Sequence, residues 1–417
     1  MFRPLSLVLF VSVLLFSAAS AQEERVVYSS TPFNLSLVDG ASIADLFSGG
    51  ARASVDGLGV AIISTRYDRL RGVDVGGLLR VVEGDADGVT FSLFGGVVGG
   101  SARGAHFAAA YSIIDDETRG VLSSSVFNIV ERQVLGLSTT AGFNIASEGL
   151  EGVQMAALFN IAGLKTRGWQ SSVVMNVAGA DMNGAQTCLG LNAAGGDVRG
   201  IQTAGVLNTA DGSMRGFQSA ALANITGDTT TGAQIAGVLN ISRVVSSGAQ
   251  IGLINISEEN DGAAIGPFSY VAEYGVRPFA ALDESRFVSL GIRTGNDVVY
   301  NNLYLAAQAN DPFRWKIGYA IGVQLKSSEE TSIALQYDFA HVNYDRLWTR
   351  ETSFFMAVRA LAFFDLFGQE AFLGPSLSYY FTDVREEDET YPYAFFDDYA
   401  GDLRISLWPG VMFGVYW

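Results

Sequence analysis

The chain has 417 residues, a net charge of −17 and a mean hydropathy of +0.25. The acidic balance argues against nucleic acid as a partner, which needs a basic surface, and a lone cysteine, Cys188, excludes a disulfide framework or a cysteine metal site. Glycine is plentiful at 48, proline scarce at 8, and Phe and Tyr number 27 and 16, which suits strands joined by turns. Past the N-terminus no apolar run reaches the roughly 18 residues of a membrane-spanning helix.

The first residues read Met1-Phe2-Arg3, then an apolar run from Leu5 to Phe16, then Ala19-Ser20-Ala21. A basic start, a short apolar run and a small-x-small site predict a secretory signal over 1–21, cleaved near Ala21. The residue directly after the cleavage point is Gln22, not cysteine, so a lipoprotein route is not supported. Residues 22–71 form an N-terminal segment that leads into the first strands.

From Gly72 to Gly248 a glycine recurs every 16 residues without a slip. Gln154, Gln170, Gln186 and Gln202 each follow their glycine by two positions, and Asn160, Asn176, Asn192 and Asn208 by eight. A unit this short cannot bury a core alone, so neighbouring units must complete one another. The repeat region is read as 72–257.

Within one unit, residues 153–162 alternate strictly. Val153, Met155, Ala157, Phe159 and Ile161 make an apolar face; Gln154, Ala156, Leu158, Asn160 and Ala162 make a small, partly polar one. From Gly120 to Asn240 no charge falls in the ten positions after any glycine of this ladder. The charges sit in the connecting stretch, at Glu131, Arg132, Glu148, Lys165, Asp181 and their equivalents. The unit therefore reads as a strand of about ten residues and a polar turn, and about ten is the length of a transmembrane β-strand. Asp74, Arg80 and His106 fall on the Gln/Asn face, so that face is expected to line a lumen together with Gln154, Asn160, Gln170, Asn176, Gln186, Asn192, Gln202 and Asn208. Phe159, Met175, Leu191 and Leu207 are expected to face lipid.

The rival is a β-solenoid with one unit per coil. The strict period favours it. Against it, a ten-residue strand spans about 33 Å while six residues reach only about 20 Å, and its return side would carry Asp181, Asp197 and Lys165 where apolar filling is needed. The fold expected first is thus all-β, an antiparallel transmembrane barrel of roughly twenty strands. The alternative is a solenoid of 16-residue coils plus a smaller C-terminal barrel. The units also look like those of bacterial surface-repeat proteins over about residues 120–257. That likeness implies a cell-envelope location and gives no activity.

Residues 258–417 carry longer alternating strands, with Ile317, Tyr319, Ile321 and Val323 opposing Lys316, Gly318, Ala320 and Gly322. Residues 383–402 form an acidic run, read as a solvated loop, with divalent-cation binding as the sharper reading. At the end, Val411, Phe413, Val415 and the terminal Trp417 share one strand face. Here the chain resembles bacterial outer-membrane β-barrel proteins, whose last strand ends in an aromatic residue. The resemblance implies that these four residues are an assembly signal, that the partners are outer-membrane lipid and the barrel-assembly machinery, and that the protein lies in the outer membrane of a diderm bacterium.

His106 and His341 are the only histidines and make no metal pair, and no Gly-x-Ser-x-Gly elbow or phosphate loop occurs. The expectation is a pore or passive envelope component, not an enzyme and without a cofactor. The alternative is a surface-exposed structural or adhesive repeat protein. Oligomeric state is left open.

Overall fold

The computed structural model describes residues 30–38, 41–42, 54–308, 313–326, 332–344, 348, 352–383 and 394–417. The signal segment 1–21 and the middle of the acidic run, 384–393, lie outside the described residues. The described chain is all strand and turn. It divides into two compact units, 1–115 and 116–417.

The repeats do not build a barrel. Each is one coil of a parallel β-solenoid, of about 14 turns in all. A coil holds two strands, as in Gly149–Ala156 and Phe159–Ala162. The first pairs in parallel with Thr166–Ser171 and the second with Met175–Ala178, which sets Gly152 beside Gly168, Gln154 beside Gln170 and Asn160 beside Asn176. This corrects the roughly twenty-stranded barrel, and the reason is local. The expected ten-residue strand bends at its middle, at Ala157–Leu158, so its halves lie on opposite sides of the coil. The charged stretch then forms the second bend and turns its side chains outward. The interior is filled from other positions: Ala178, Ala194 and Ala210 against Met182, Val198 and Met214.

The glycine ladder is explained by close approach. Gly168 has φ +134°, and a Cβ there would lie 1.8 Å from the Gly152 carbonyl oxygen. Only glycine tolerates both.

Coils also continue where the strict period ends. Gly57 pairs with Gly72 at a spacing of 15. At the other end Leu239 pairs with Ile254 and Ile254 with Phe268, so the spacing falls to 15 and then 14. The solenoid therefore runs through strand Phe268–Val271, past the expected boundary at 257.

Residues 277–417 form a separate antiparallel barrel. Eight strands follow in order: Arg277–Leu282, Val288–Gly295, Val299–Gln308, Arg314–Lys326, Ser332–Tyr344, Ser353–Leu366, Gln369–Thr382 and Leu403–Tyr416. The ring closes where Phe279 pairs with Tyr416. A short strand, Phe396–Ala400, hairpins onto the last one. Eight strands enclose just enough space for side chains, so the wide lumen expected of a twenty-stranded ring is not formed. The connections are unequal. At the end holding Arg277 and Tyr416 they span 296–298, 327–331 and 367–368; at the other end they span 283–287, 309–313, 345–352 and 383–402.

Candidate functional site

The residues expected to line a lumen line the interior of the coils instead. Gln154, Gln170, Gln186 and Gln202 are fully buried and bonded in a chain: Gln170 Nε2 donates to Gln154 Oε1 at 3.0 Å, Gln186 to Gln170 at 2.8 Å and Gln202 to Gln186 at 2.8 Å. Asn160, Asn176, Asn192 and Asn208 form a second buried chain that donates the opposite way along the stack, each Nδ2 reaching the next Oδ1 at 2.9 Å. Each Asn also donates to a main-chain carbonyl of the next coil, as Asn160 does to Ser171 at 2.7 Å. Within each ladder the stacked amides pair donor with acceptor without water, as a buried polar core requires; Gln154 Nε2, at the start of the Gln chain, has no hydrogen-bond partner among the described residues.

In the N-terminal unit the same positions hold charge. Asp74, Arg80 and His106 are buried. Tyr67 donates to Asp74 Oδ1 at 3.1 Å, and Thr90 Oγ1 meets His106 Nδ1 at 2.8 Å. Arg80 fits because Gly96 replaces an amide: a Cβ on Gly96 would sit 2.6 Å from an Arg80 guanidinium nitrogen. Burial pushes the Asp74 carboxyl up to about 6, against the pull of Arg80. It lowers Arg80 to about 10 and, with the Arg80 charge nearby, His106 to about 4.

Phe159, Met175, Leu191 and Leu207, expected to face lipid, stack in register on an outer face and are half-buried there. Phe143 and Phe159 stack at 4.9 Å between centroids. In the coils of the second unit the two bends are opposite in kind. One gathers the charges, on the bend itself or on the strand residues beside it, in pairs such as Arg132 with Asp116 at 2.7 Å and Arg167 with Glu151 at 3.1 Å. There Asp181 accepts from the Asp197 N–H and pairs with Lys165, which holds its carboxyl below the usual range. The other bend carries exposed aliphatics: Val126, Leu158, Val174, Leu189, Leu222 and Leu253 are each about half exposed or more.

The barrel has its polarity inverted. Lys316 Nζ lies 2.6 Å from Asp283 Oδ2 with both side chains buried, and sits 3.9 Å from the centre of the Phe355 ring. Arg359 Nε pairs with Asp338 Oδ2 at 3.0 Å and its guanidinium reaches Glu284 at 3.5 Å. Tyr300, Tyr304, Trp408 and Tyr416 fill the remaining interior. Outside, Leu290, Leu305, Leu325 and Leu335 are each more than half exposed. On the last strand Val411 and Phe413 face outward, Val415 is half-buried, and Trp417 is exposed while its N–H donates to the Pro278 carbonyl at 3.1 Å. Asp397, from the acidic run, pairs with Arg404 at 2.6 Å. His341 stacks on Trp348 at 4.5 Å. Among the described residues no three or more His, Cys, Asp or Glu side chains gather to hold a metal ion.

No sequence pattern signals the junction between solenoid and barrel, because its paired residues are 25 to 37 positions apart. Asn296, in the turn Gly295–Val299, donates to the carbonyls of Asn260 and Gly262 at 2.6 and 2.7 Å. Asn301 donates to the Ala264 carbonyl at 2.7 Å and accepts from the Gly266 N–H at 3.2 Å. The Ser269 N–H donates to Thr294 Oγ1 at 3.2 Å. Thr294 and Asn301 share the outward parity of Leu290, Leu303 and Leu305 but are buried, because the last coil covers them. The barrel wall thus caps the open edge of the last coil, an edge that would otherwise pair with another chain.

No protein-family model matches the chain, and the searches of curated proteins and of solved structures return no match either.

Proposed function

We propose that this chain is an exported structural protein of a bacterial envelope, in which the barrel 277–417 is embedded in the outer membrane as an anchor and the solenoid is a rigid, non-catalytic scaffold fixed to it. The observation that carries the reading is the inverted polarity of the barrel. A water-soluble barrel buries aliphatics and exposes charge. This one buries Lys316, Asp283, Arg359 and Asp338 and exposes a belt of leucines, the arrangement suited to lipid outside and a polar interior.

Two further features support it. Connections are short at one end and longer at the other, as in outer-membrane barrels, where short turns face the periplasm. The last strand, Leu403–Tyr416, turns Val411 and Phe413 outward. A filled interior favours an anchor over a pore. Because the solenoid joins at the short-turn end, a periplasmic scaffold fits better than a surface adhesin.

The test is fractionation with gel mobility. The protein is expected in isolated outer membranes and should migrate faster before boiling than after, as folded barrels do. Recovery as a soluble periplasmic protein without heat-modifiable mobility would overturn the reading.

A further inference from the structure

We infer that the uncharged bend of the solenoid is a membrane-insertion edge: the solenoid lies flat along the phospholipid leaflet on the short-turn side of the barrel, with its aliphatic bend sunk among the acyl chains. The inference rests on the anchor reading above.

Four observations carry it. The first is segregation. In the coils of residues 116–257 every charged side chain lies at or next to one bend, and the opposite bend presents Val126, Leu158, Val174, Leu189, Leu222 and Leu253, all about half exposed or more. The flat faces carry charge only at their margin beside the charged bend, where Arg119, Glu151, Arg167, Arg199 and Arg215 are exposed near the start of their strands. The whole coil therefore has the polarity profile of an interfacial element: apolar on one side, charged on the other.

The second is direction. Main-chain N–H and C=O groups in a solenoid point along its axis. On the last coil those of Gly262, Ala264, Gly266 and Ser269 meet Asn296, Asn301 and Thr294 on the outer wall of the barrel. The solenoid axis therefore runs into the side of the barrel, which sets it along the membrane plane. A strip from Val126 to Leu253 is about 40 Å long at the spacing of adjacent strands. Set upright, it would overrun the roughly 30 Å of hydrocarbon.

The third is which bend points where. The charged bend of the last coil, around Asn260 and Gly262, meets Asn296 in the end turn of the barrel. Gly266, at the uncharged bend, meets Asn301, farther along the wall, and Asn301 in turn accepts from Tyr319, which pairs with Leu303. The uncharged bend thus points toward the leucine belt, and the two apolar surfaces are continuous.

The fourth is shape. The edge is a convex ridge. Two such ridges touch only along a line, so a second copy would bury little of it, whereas liquid acyl chains conform to any ridge. The backbone is also prepared for this medium. Its hydrogen bonds run from coil to coil and the amides within the Asn ladder are paired, so the main chain of the ridge brings its own hydrogen bonds into lipid.

The experiment uses the full chain, with Cys188→Ser as background, reconstituted in phosphatidylethanolamine–phosphatidylglycerol vesicles that carry doxyl-labelled acyl chains. An environment-sensitive fluorophore is placed singly at Leu158→Cys, Leu222→Cys, Arg199→Cys or Leu305→Cys. Leu305 reports the barrel belt. Quenching at 158 and 222 equal to that at 305, with none at 199, is the expected result. Quenching at 305 but not at 158 or 222 overturns the insertion edge and leaves the anchor reading intact. No quenching at 305 overturns the anchor reading itself. Positions 158 and 222 shielded from both lipid and aqueous quenchers would mean that protein covers the ridge, and would also overturn the inference. A Leu158→Glu/Leu189→Glu/Leu222→Glu variant should lose quenching at a Leu253→Cys probe while its barrel stays heat-modifiable. Unchanged quenching there would overturn it as well.

Discussion

Asn296 holds the carbonyl of Asn260 at 2.6 Å with one end of its amide and, with the other, accepts from the N–H groups of Val298 and Val299 in its own turn. One side chain therefore shapes a barrel turn and closes the solenoid. Asn296→Ala should leave the Asn260 and Gly262 carbonyls buried and unpaired, at about 1–3 kcal/mol each. Hydrogen exchange is expected to quicken across 258–271 while the strands at 332–344 and 353–366 keep their protection. Unchanged exchange at 258–271 would show that the junction does not depend on this amide.

The Lys316–Asp283 pair is expected to be sensitive to losing one partner and tolerant of losing both. Lys316→Met strands a carboxylate in the barrel and should destabilise it by about 3–5 kcal/mol. The double variant Lys316→Met/Asp283→Asn should recover most of that loss, because both charges are gone while an amide oxygen still accepts from the buried Ser285 and Phe287 N–H groups. Unfolding in urea from detergent, read by gel mobility, separates the cases. A double variant as unstable as the single one would mean that the pair contributes more than mutual neutralisation.

In the solenoid, Asn176 sits mid-ladder, accepting from Asn160 and donating to Asn192 and to the Thr187 carbonyl, with donor–acceptor distances of 2.8–2.9 Å. Asn176→Ala should leave three groups unpaired in a dry interior. A loss on the order of 3 kcal/mol is expected, together with faster exchange in the adjoining coils, since stacked repeats depend on their neighbours. Gly184→Ala tests the other ladder. Its Cβ would lie 2.0 Å from the Gly168 carbonyl oxygen at φ +136°, so it should disrupt the stack at least as strongly, by strain of about 1–3 kcal/mol plus the clash. Wild-type denaturation of either variant would contradict the in-register stack.

The repeat, the strand faces and the uncharged stretch could all be read in the residues. The choice between a membrane strand and a coil could not, for a physical reason. Alternation at period 2 survives a bend if the bend spans an even number of residues, as at Ala157–Leu158. A coil lined with Gln154 and Asn160 also looks, in sequence, like a strand with a wet face. The unbroken spacing is the discriminating signal: only parallel in-register pairing sets residue i beside residue i+16 in every unit and lets amides chain without water. The charges at Lys165 and Asp181 count against a solenoid only where they face its inside. They lie outside, on a bend. The barrel strands from Arg314 onward were legible because an antiparallel barrel keeps its alternation along each whole strand.

Trp417 adds one main-chain bond at the closing seam, to Pro278, and leaves its ring exposed. If the ring is read during assembly, Trp417→Asp should lower the amount of heat-modifiable protein in outer membranes while refolding from urea into detergent is unaffected. Equal outer-membrane yields would remove the assembly role.

The N-terminal unit should show a pH dependence that splits into opposing parts. The Asp74 carboxyl is raised to about 6 by burial, so the folded unit holds this proton more tightly than the unfolded chain does. Its contribution is full below pH 4 and is lost as pH rises through 6, amounting to something on the order of 3 kcal/mol. His106 runs the other way. Burial and the charge of Arg80 lower it to about 4, so the unfolded chain takes up the proton first, and stability falls as pH drops from 6.5 through 4. Between pH 4 and 6 the two slopes oppose, and the wild type should be nearly flat. Asp74→Asn removes one slope and should leave stability climbing with pH over that window. His106→Gln, which restores the residue used by later coils, should leave it falling. Amide exchange across 54–108, measured at several pH values and corrected for intrinsic rates, reads both. Parallel pH profiles for the two variants would show that neither group titrates as its burial dictates.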